Sequence, residues 1–233
     1  MKFETELIKG KLIKRYKRFL ADVELENGEV VTAHCANSGS MLSVKDEGAT
    51  VWLSPSNNPK RKLKYTWELI EVDGYNVGIN TGHPNKIVEE AILAGQIEEL
   101  SGYESLRREV KYGQNSRIDV LLEDPDKPKC YVEVKNVTLK RGDNADFPDA
   151  VTSRGAKHLR ELGDMVEEGH RAVMFYLVQR ADCKVMDIAR DIDPTYDEEL
   201  KAALKRGVEV ICYQCDVGTE EIKVTTPLSV AFL

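Results

Sequence analysis

The chain has 233 residues, 31% of them charged and 42% hydrophobic, with a formal net charge of −7. That length suits one large domain or two small ones, and no apolar run reaches the roughly 20 residues of a membrane-spanning helix. The acidic balance argues against a uniformly basic nucleic-acid binder, yet it is uneven: 12 basic and 11 acidic residues occupy positions 1–80, against 21 and 29 beyond. This asymmetry points to two units with different jobs. The first residues, Met1-Lys2-Phe3-Glu4-Thr5-Glu6, lack the apolar segment of a secretory signal, so a cytoplasmic protein with no membrane association is expected. Five cysteines without a regular framework fit a reducing compartment. Cys212 and Cys215 fall on an expected strand, where a spacing of three places them on opposite faces rather than on one metal.

The first eighty residues read as all-β. A strand over 12–25 ends in alternation, with Phe19, Ala21, Val23 and Leu25 facing one way and Asp22, Glu24 and Glu26 the other. Asn27-Gly28 signals a two-residue hairpin into a strand over 29–35. Further strands are expected over 50–54, 63–69 and, after Asp73-Gly74, 75–80. Five short strands of this kind suit a small OB-like barrel. Lys9, Lys11, Lys14, Arg15, Lys17 and Arg18 cluster near its start with Tyr16 and Phe19 among them, and no acid lies between Gly10 and Ala21. Lys60, Arg61, Lys62 and Lys64 form a second cluster. Barrels that hold single-stranded nucleic acid combine basic grooves with stacking aromatics, so Lys14, Arg15, Lys17, Arg18, Arg61 and Lys62 are candidate nucleic-acid contacts. The alternative is a barrel whose charges only solvate its surface.

Thr81-Gly82-His83-Pro84-Asn85 marks a boundary by its turn residues, dividing the chain into 1–82 and 83–233. A helix follows, with Ile87, Ala91 and Ile92 on one face and Asn85 as its expected cap; His34 and His83 have no partner at metal-ligand spacing and read as incidental. A strand over 106–112 leads to a hairpin formed by 116–122 and 130–135. Side chains alternate along a strand, so Glu133 and Lys135 point one way and Val132 and Val134 the other, while Asp119 is expected to oppose Ile118 and Val120. Two carboxylates at the ends of neighbouring strands form an oxygen-rich site suited to Mg²⁺. A lysine beside them can orient water and offset charge developing on phosphorus. A loop then leads to a helix over 152–168, closed by Gly169, with Gly155, Leu159, Leu162 and Val166 as its apolar stripe and Arg154, Lys157, His158 and Arg160 around its first turns. Beyond it comes a buried strand over 172–178, parallel to the hairpin because a crossover helix intervenes. Asp193-Pro194 and Gly207 bracket a last helix, followed by a strand from Val208. There are no repeats, and no feature fixes an oligomeric state.

The Asp119…Glu133-x-Lys135 pattern resembles the core of the PD-(D/E)xK nuclease superfamily, although Ile118 stands where that family usually has proline. The resemblance implies Asp119 and Glu133 as metal ligands and Lys135 as the water-positioning base or electrostatic stabiliser. It also implies phosphate contacts from Arg154 and Lys157 on the following helix, and an additional acid on the first helix, for which Glu90 is the candidate.

Several blocks together are similar to the sugar fermentation stimulation protein A family. They are residues 15–22 (Arg-Tyr-Lys-Arg-Phe-Leu-Ala-Asp), 34–39, 109–113, 116–119, 131–139, 147–152 and 154–162, in family order over nearly the whole length. Ala36 replaces an expected proline. The resemblance implies an α/β (α+β) architecture with an OB-like N-terminal barrel and a nuclease-like C-terminal mixed sheet with flanking helices. It further implies a DNA-binding protein linked to sugar (maltose) metabolism. Two readings follow. One is a DNA-binding protein, largely indifferent to sequence, that retains a metal-dependent nuclease site; the other is a non-catalytic regulator. A carbohydrate-binding barrel is a third. No helix-turn-helix is evident, so base-specific reading of an operator is not expected.

Overall fold

The computed structural model describes all 233 residues. Six strands form the N-terminal sheet: β1 (Ile8–Tyr16), β2 (Leu20–Leu25), β3 (Val30–Cys35), β4 (Thr50–Pro55), β5 (Tyr65–Val72) and β6 (Tyr75–Gly78). Their order is β3-β2-β1-β4-β5-β6, and a parallel pairing of β3 with β5 closes the first five into a barrel. Leu12, Val23, Ala33, Val51, Leu53 and Trp67 fill its interior. Two details differ from expectation. The stretch over 12–25 is two strands, because Lys17 and Arg18 take φ of 48° and 64° and turn the chain. That turn carries none of the Gly, Asn or Asp residues that announce a two-residue hairpin. The strand at 75–78 lies outside the closed ring, paired only to β5.

The second unit comprises α1 (Pro84–Leu93), β7 (Ser105–Tyr112), β8 (Ser116–Asp124), β9 (Lys127–Val137), β10 (Leu139–Arg141), β11 (Asn144–Phe147), α2 (Ser153–Glu167), β12 (Arg171–Val178), β13 (Val185–Ile188), α3 (Pro194–Lys205), β14 (Glu209–Val217), β15 (Ile222–Pro227) and β16 (Ser229–Val230). Its main sheet runs β15-β14-β12-β9-β8-β7, with β9, β12 and β14 mutually parallel and the flanking pairs antiparallel. One face is covered by α1, whose Ile87, Val88 and Ala91 pack with Val120, Val132, Val134 and Phe175. On the other face Leu159 and Leu162 of α2 and Leu200 of α3 pack with Ile118, Leu121, Met174 and Tyr176. Full burial of each such leucine contributes roughly 1.5–3 kcal/mol. Thr152 caps α2 by accepting from the Gly155 N–H at 3.1 Å, and Asp193 caps α3 by accepting from Tyr196 at 3.0 Å. Cys212 and Cys215 are buried on opposite faces of β14, as their spacing requires. A small sheet, β10-β11-β13-β16, occupies stretches that read as loop and appended tail.

Several contacts join the units, among them the Met41 N–H donating to Asp149 Oδ2 at 2.7 Å and the two that follow. The first residues leave the barrel and run beside β15, where Met1 and Phe3 donate to Ile222 and Glu220 at 2.6 and 2.9 Å. At the other seam, the Gly78 N–H donates to the Gln179 carbonyl at 2.9 Å. A Cβ at position 78 would lie 2.3 Å from Gln179 Oε1, so a larger residue there would displace that buried side chain.

Candidate active site

The β8–β9 ladder runs from Asp124↔Lys127 to Val120↔Val132 and stops. The next pairs in register, Asp119 with Glu133 and Ile118 with Val134, do not form; instead the Val134 N–H donates to Asp119 Oδ2 at 2.8 Å. Strict alternation is broken here. Ile118 packs in the core under α2 and Val120 in the core under α1, so Asp119 does not oppose both, contrary to expectation. On the neighbouring strand, Glu109 takes φ of 55° between the paired Arg108 and Val110. This irregularity opens the sheet where the two carboxylates meet.

Asn85 supplies the other hold on Asp119, donating to Oδ1 at 2.8 Å and to Glu109 Oε1 at 3.1 Å. It is not the cap of α1: His83 occupies that position without a side-chain bond, and Pro84 begins the helix. Glu133 is 2% exposed and lies toward α2. Its Oε1 accepts from Lys135 Nζ at 2.6 Å and lies in a short contact with His158 Nδ1. Arg154 Nε donates to His158 Nε2 at 3.3 Å, which assigns the imidazole proton to Nδ1, facing Glu133.

The two carboxyls titrate in opposite directions. Burial, and then the charge of Glu133, push Asp119 up to about 6, against the Val134 N–H, Lys135 and Asn85. Burial also disfavours the Glu133 anion, but Lys135 and His158 outweigh it and hold that carboxyl below its usual range. Glu133 Oε2 is buried without a partner, and so is the Tyr112 hydroxyl. Burial raises that phenol's pKa, and the charges of Glu133, Glu161 and Asp119 raise it further. A partnerless carboxylate oxygen beside a second carboxyl whose ionisation burial and its charge oppose fits a hard divalent cation, which would satisfy the oxygen and relieve the repulsion.

Other expected contacts are distributed unevenly. Arg154 is exposed next to His158. Lys157 is engaged, donating to the Gln114 carbonyl at 2.8 Å and to Ser116 Oγ at 3.1 Å, beside buried Glu161. Glu90 does not join Asp119: five positions beyond Asn85 it turns to another side of α1 and pairs with the Met1 amine at 2.9 Å. In the barrel, Arg15 donates to the carbonyls of Asn37 and Gly39 at 2.9 and 3.0 Å, fixing the loop after β3. Lys14 lies over the Tyr16 ring at 5.4 Å and 3.8 Å from Asp22. Lys17, Arg18 and Lys62 are exposed, while Arg61 donates to Thr66 Oγ1 at 2.8 Å. Both basic clusters occupy or adjoin the β1–β2 and β4–β5 loops, with which OB folds grip oligonucleotides.

His83 is not incidental. Its Nε2 lies 2.8 Å from Glu68, whose carboxylate also accepts from Ser54 and Asn80 at 2.6 and 2.7 Å; these bonds hold Glu68 below its usual range despite its burial. Asn85 and Tyr112 carry no spacing signal toward the site. His158 has one in its place on the first turns of the helix after the motif.

Comparison with known proteins follows the same division. Residues 82–221 match the family model described as the Sugar fermentation stimulation protein RE domain, and residues 13–79 match that of the SfsA N-terminal OB domain. A Sugar fermentation stimulation protein homolog from Paramagnetospirillum magneticum is 60% identical over 98% of this chain and 97% of its own. Another from Rhodospirillum rubrum is 62% identical over 93% of each. A solved chain, described as the structure of Pyrococcus furiosus SfsA in complex with Ca²⁺, superposes with a TM-score of 0.89 at 26% identity, covering 99% of this chain and 97% of that one. No helix here is long and apolar enough to cross a membrane. With barrel, mixed sheet and both family models in agreement, the chain belongs to the sugar fermentation stimulation protein family.

Proposed function

We propose that the protein is a divalent-metal-dependent phosphodiesterase acting on DNA held by its barrel, largely without regard to base sequence, in the cytoplasm. The observation that carries this reading is the partnerless, buried Glu133 Oε2 beside Asp119, a carboxyl raised to about 6 by burial and by its neighbour. Asp119 and Glu133 would hold Mg²⁺ or a similar cation, which when bound supplies Lewis acidity toward phosphate and water. Asn85 and the Val134 N–H fix Asp119; His158 fixes Glu133. Lys135 places an ammonium where charge accumulates on phosphorus. Arg154, exposed above His158, is the phosphate contact on α2. Incubation of single- and double-stranded DNA and RNA with the protein and Mg²⁺ tests the reading. Cleavage is expected, with Asp119→Asn and Lys135→Ala slower by about 10²- to 10⁴-fold. A parent protein that cuts none of these substrates removes the enzyme claim.

One observation favours a second reading, a non-catalytic DNA-binding regulator of sugar metabolism. Lys135 and His158 both close on Glu133 Oε1, and no three His, Cys, Asp or Glu side chains cluster as a ready metal cage. Under that reading salt-sensitive binding survives Asp119→Asn and falls when Lys17 and Arg18 lose their charge.

A further inference from the structure

The barrel carries an aromatic surface that the carboxylate site does not use. Phe19 follows directly on the β1–β2 turn and is 46% exposed, the ring of a large apolar residue left in solvent. It stacks on His34, with ring centroids 6.4 Å apart and planes inclined by 23°. His34 is the outward residue on β3 between the inward Ala33 and Cys35. The register places it opposite Leu20 of β2 on one side and Thr66 of β5 on the other. Thr66 in turn holds Arg61. Leu20, His34 and Thr66 thus align across three adjacent strands, about 10 Å or two strand spacings, with the turn residues Lys17, Arg18 and Phe19 at one end and Arg61, from the β4–β5 loop, at the other. The acid on this face, Asp22, is tied to Tyr16 and Thr32 at 3.0 and 2.8 Å. Beyond Arg61 the row opens into a cavity of about 510 Å³ between barrel and α1, lined by Arg61, Thr66, Glu68, Asn80, His83 and Lys86 among others. His83 is two residues from Asn85, which holds Asp119.

We propose that Phe19 and His34 are a base-stacking platform, and that this row makes the protein prefer single-stranded nucleic acid and lead it toward Asp119. The inference rests on the nucleic-acid reading given above and adds a strand preference to it. A stacking ring needs an unpaired base face, which a duplex withholds, while the flanking Lys17, Arg18 and Arg61 serve the backbone on either side. The chemistry recognised is therefore a flexible phosphodiester chain with splayed bases.

Fluorescence anisotropy with a labelled oligo(dT) and a duplex of equal length, read on the full chain in chelator, tests the proposal. The parent is expected to bind oligo(dT) more tightly than the duplex. Phe19→Ala/His34→Ala is expected to lose about tenfold to a hundredfold for oligo(dT) and to shift the duplex by no more than about twofold. Phe19→Trp, which restores a stacking ring, is expected to retain oligo(dT) binding, which separates stacking from fold. Equal affinities for the two ligands, or equal losses on both, overturn the proposal. Binding needs no turnover, so the two readings fail separately. A protein that stacks oligo(dT) yet cuts nothing loses the hydrolase reading alone. One that cuts without strand preference loses this inference alone.

Discussion

Lys17 and Arg18 stand in solvent at the tip of the β1–β2 turn, whereas Glu133 and Lys135 lie beneath α2, locked to each other and to His158. The contrast separates two uses of charge. Exposed cations act at a distance and are individually replaceable, because water and salt screen them. A buried carboxylate depends on each neighbour, since removing one partner strands the others in a medium of low dielectric. The barrel also shows the two uses side by side. Arg15, one residue before Tyr16, is engaged by two carbonyls of the following loop and works as a strut, while Lys17 and Arg18 remain free.

Four measurements sharpen this comparison. The largest effect is expected at Glu133→Ala, which leaves Lys135 and His158 facing each other without their carboxylate. Destabilisation of about 3–5 kcal/mol is expected in urea unfolding. An unchanged midpoint would mean that the pairing does not hold this face together. Next comes Asp119→Asn in the absence of divalent cations. Asp119 is raised to about 6 from 3.8, so the folded form binds its proton more tightly than the unfolded form, and ionisation works against the fold as pH rises through that window. The variant is expected to be more stable than the parent by about 1–3 kcal/mol at pH 8, with the gain vanishing as pH falls toward 4. A gain that persists at pH 4, or a loss at pH 8, contradicts the assigned repulsion. The smallest effect is expected in the barrel. Replacing Lys17 and Arg18 by alanine should flatten the log–log salt dependence of DNA binding by about 1.4–1.8. Arg15→Ala should instead lower the melting temperature, and a change of slope without loss of stability would show Arg15 to be a phosphate contact after all.

The hairpin and both later helices were legible because their signals are local: Asn27-Gly28, Asp193-Pro194, Gly169 and Gly207 each punctuate the chain within a few residues. The pairing of Glu133 with Lys135 was legible for the same reason, since alternation on β9 alone puts the two together. What the sequence did not disclose depends on contacts between distant elements. Asn85 looks like a helix cap until α1 is laid against β8, and Glu90 looks equally placed until the Met1 amine claims it. The break in alternation at Asp119 depends on which core Ile118 and Val120 each enter, a decision made by α1 and α2 together. Arg15 and Lys17 are indistinguishable as letters; only the path of the loop after β3 tells the strut from the free cation.

The seam at Gly78 and Gln179 has a consequence for any long ligand. The two units touch there main chain to main chain, and Gln179 is itself bonded to Asn136 on the same strand as Lys135. Under the nucleic-acid reading proposed above, the span from the hairpin tip to the paired carboxylates would set the length of strand that reaches them.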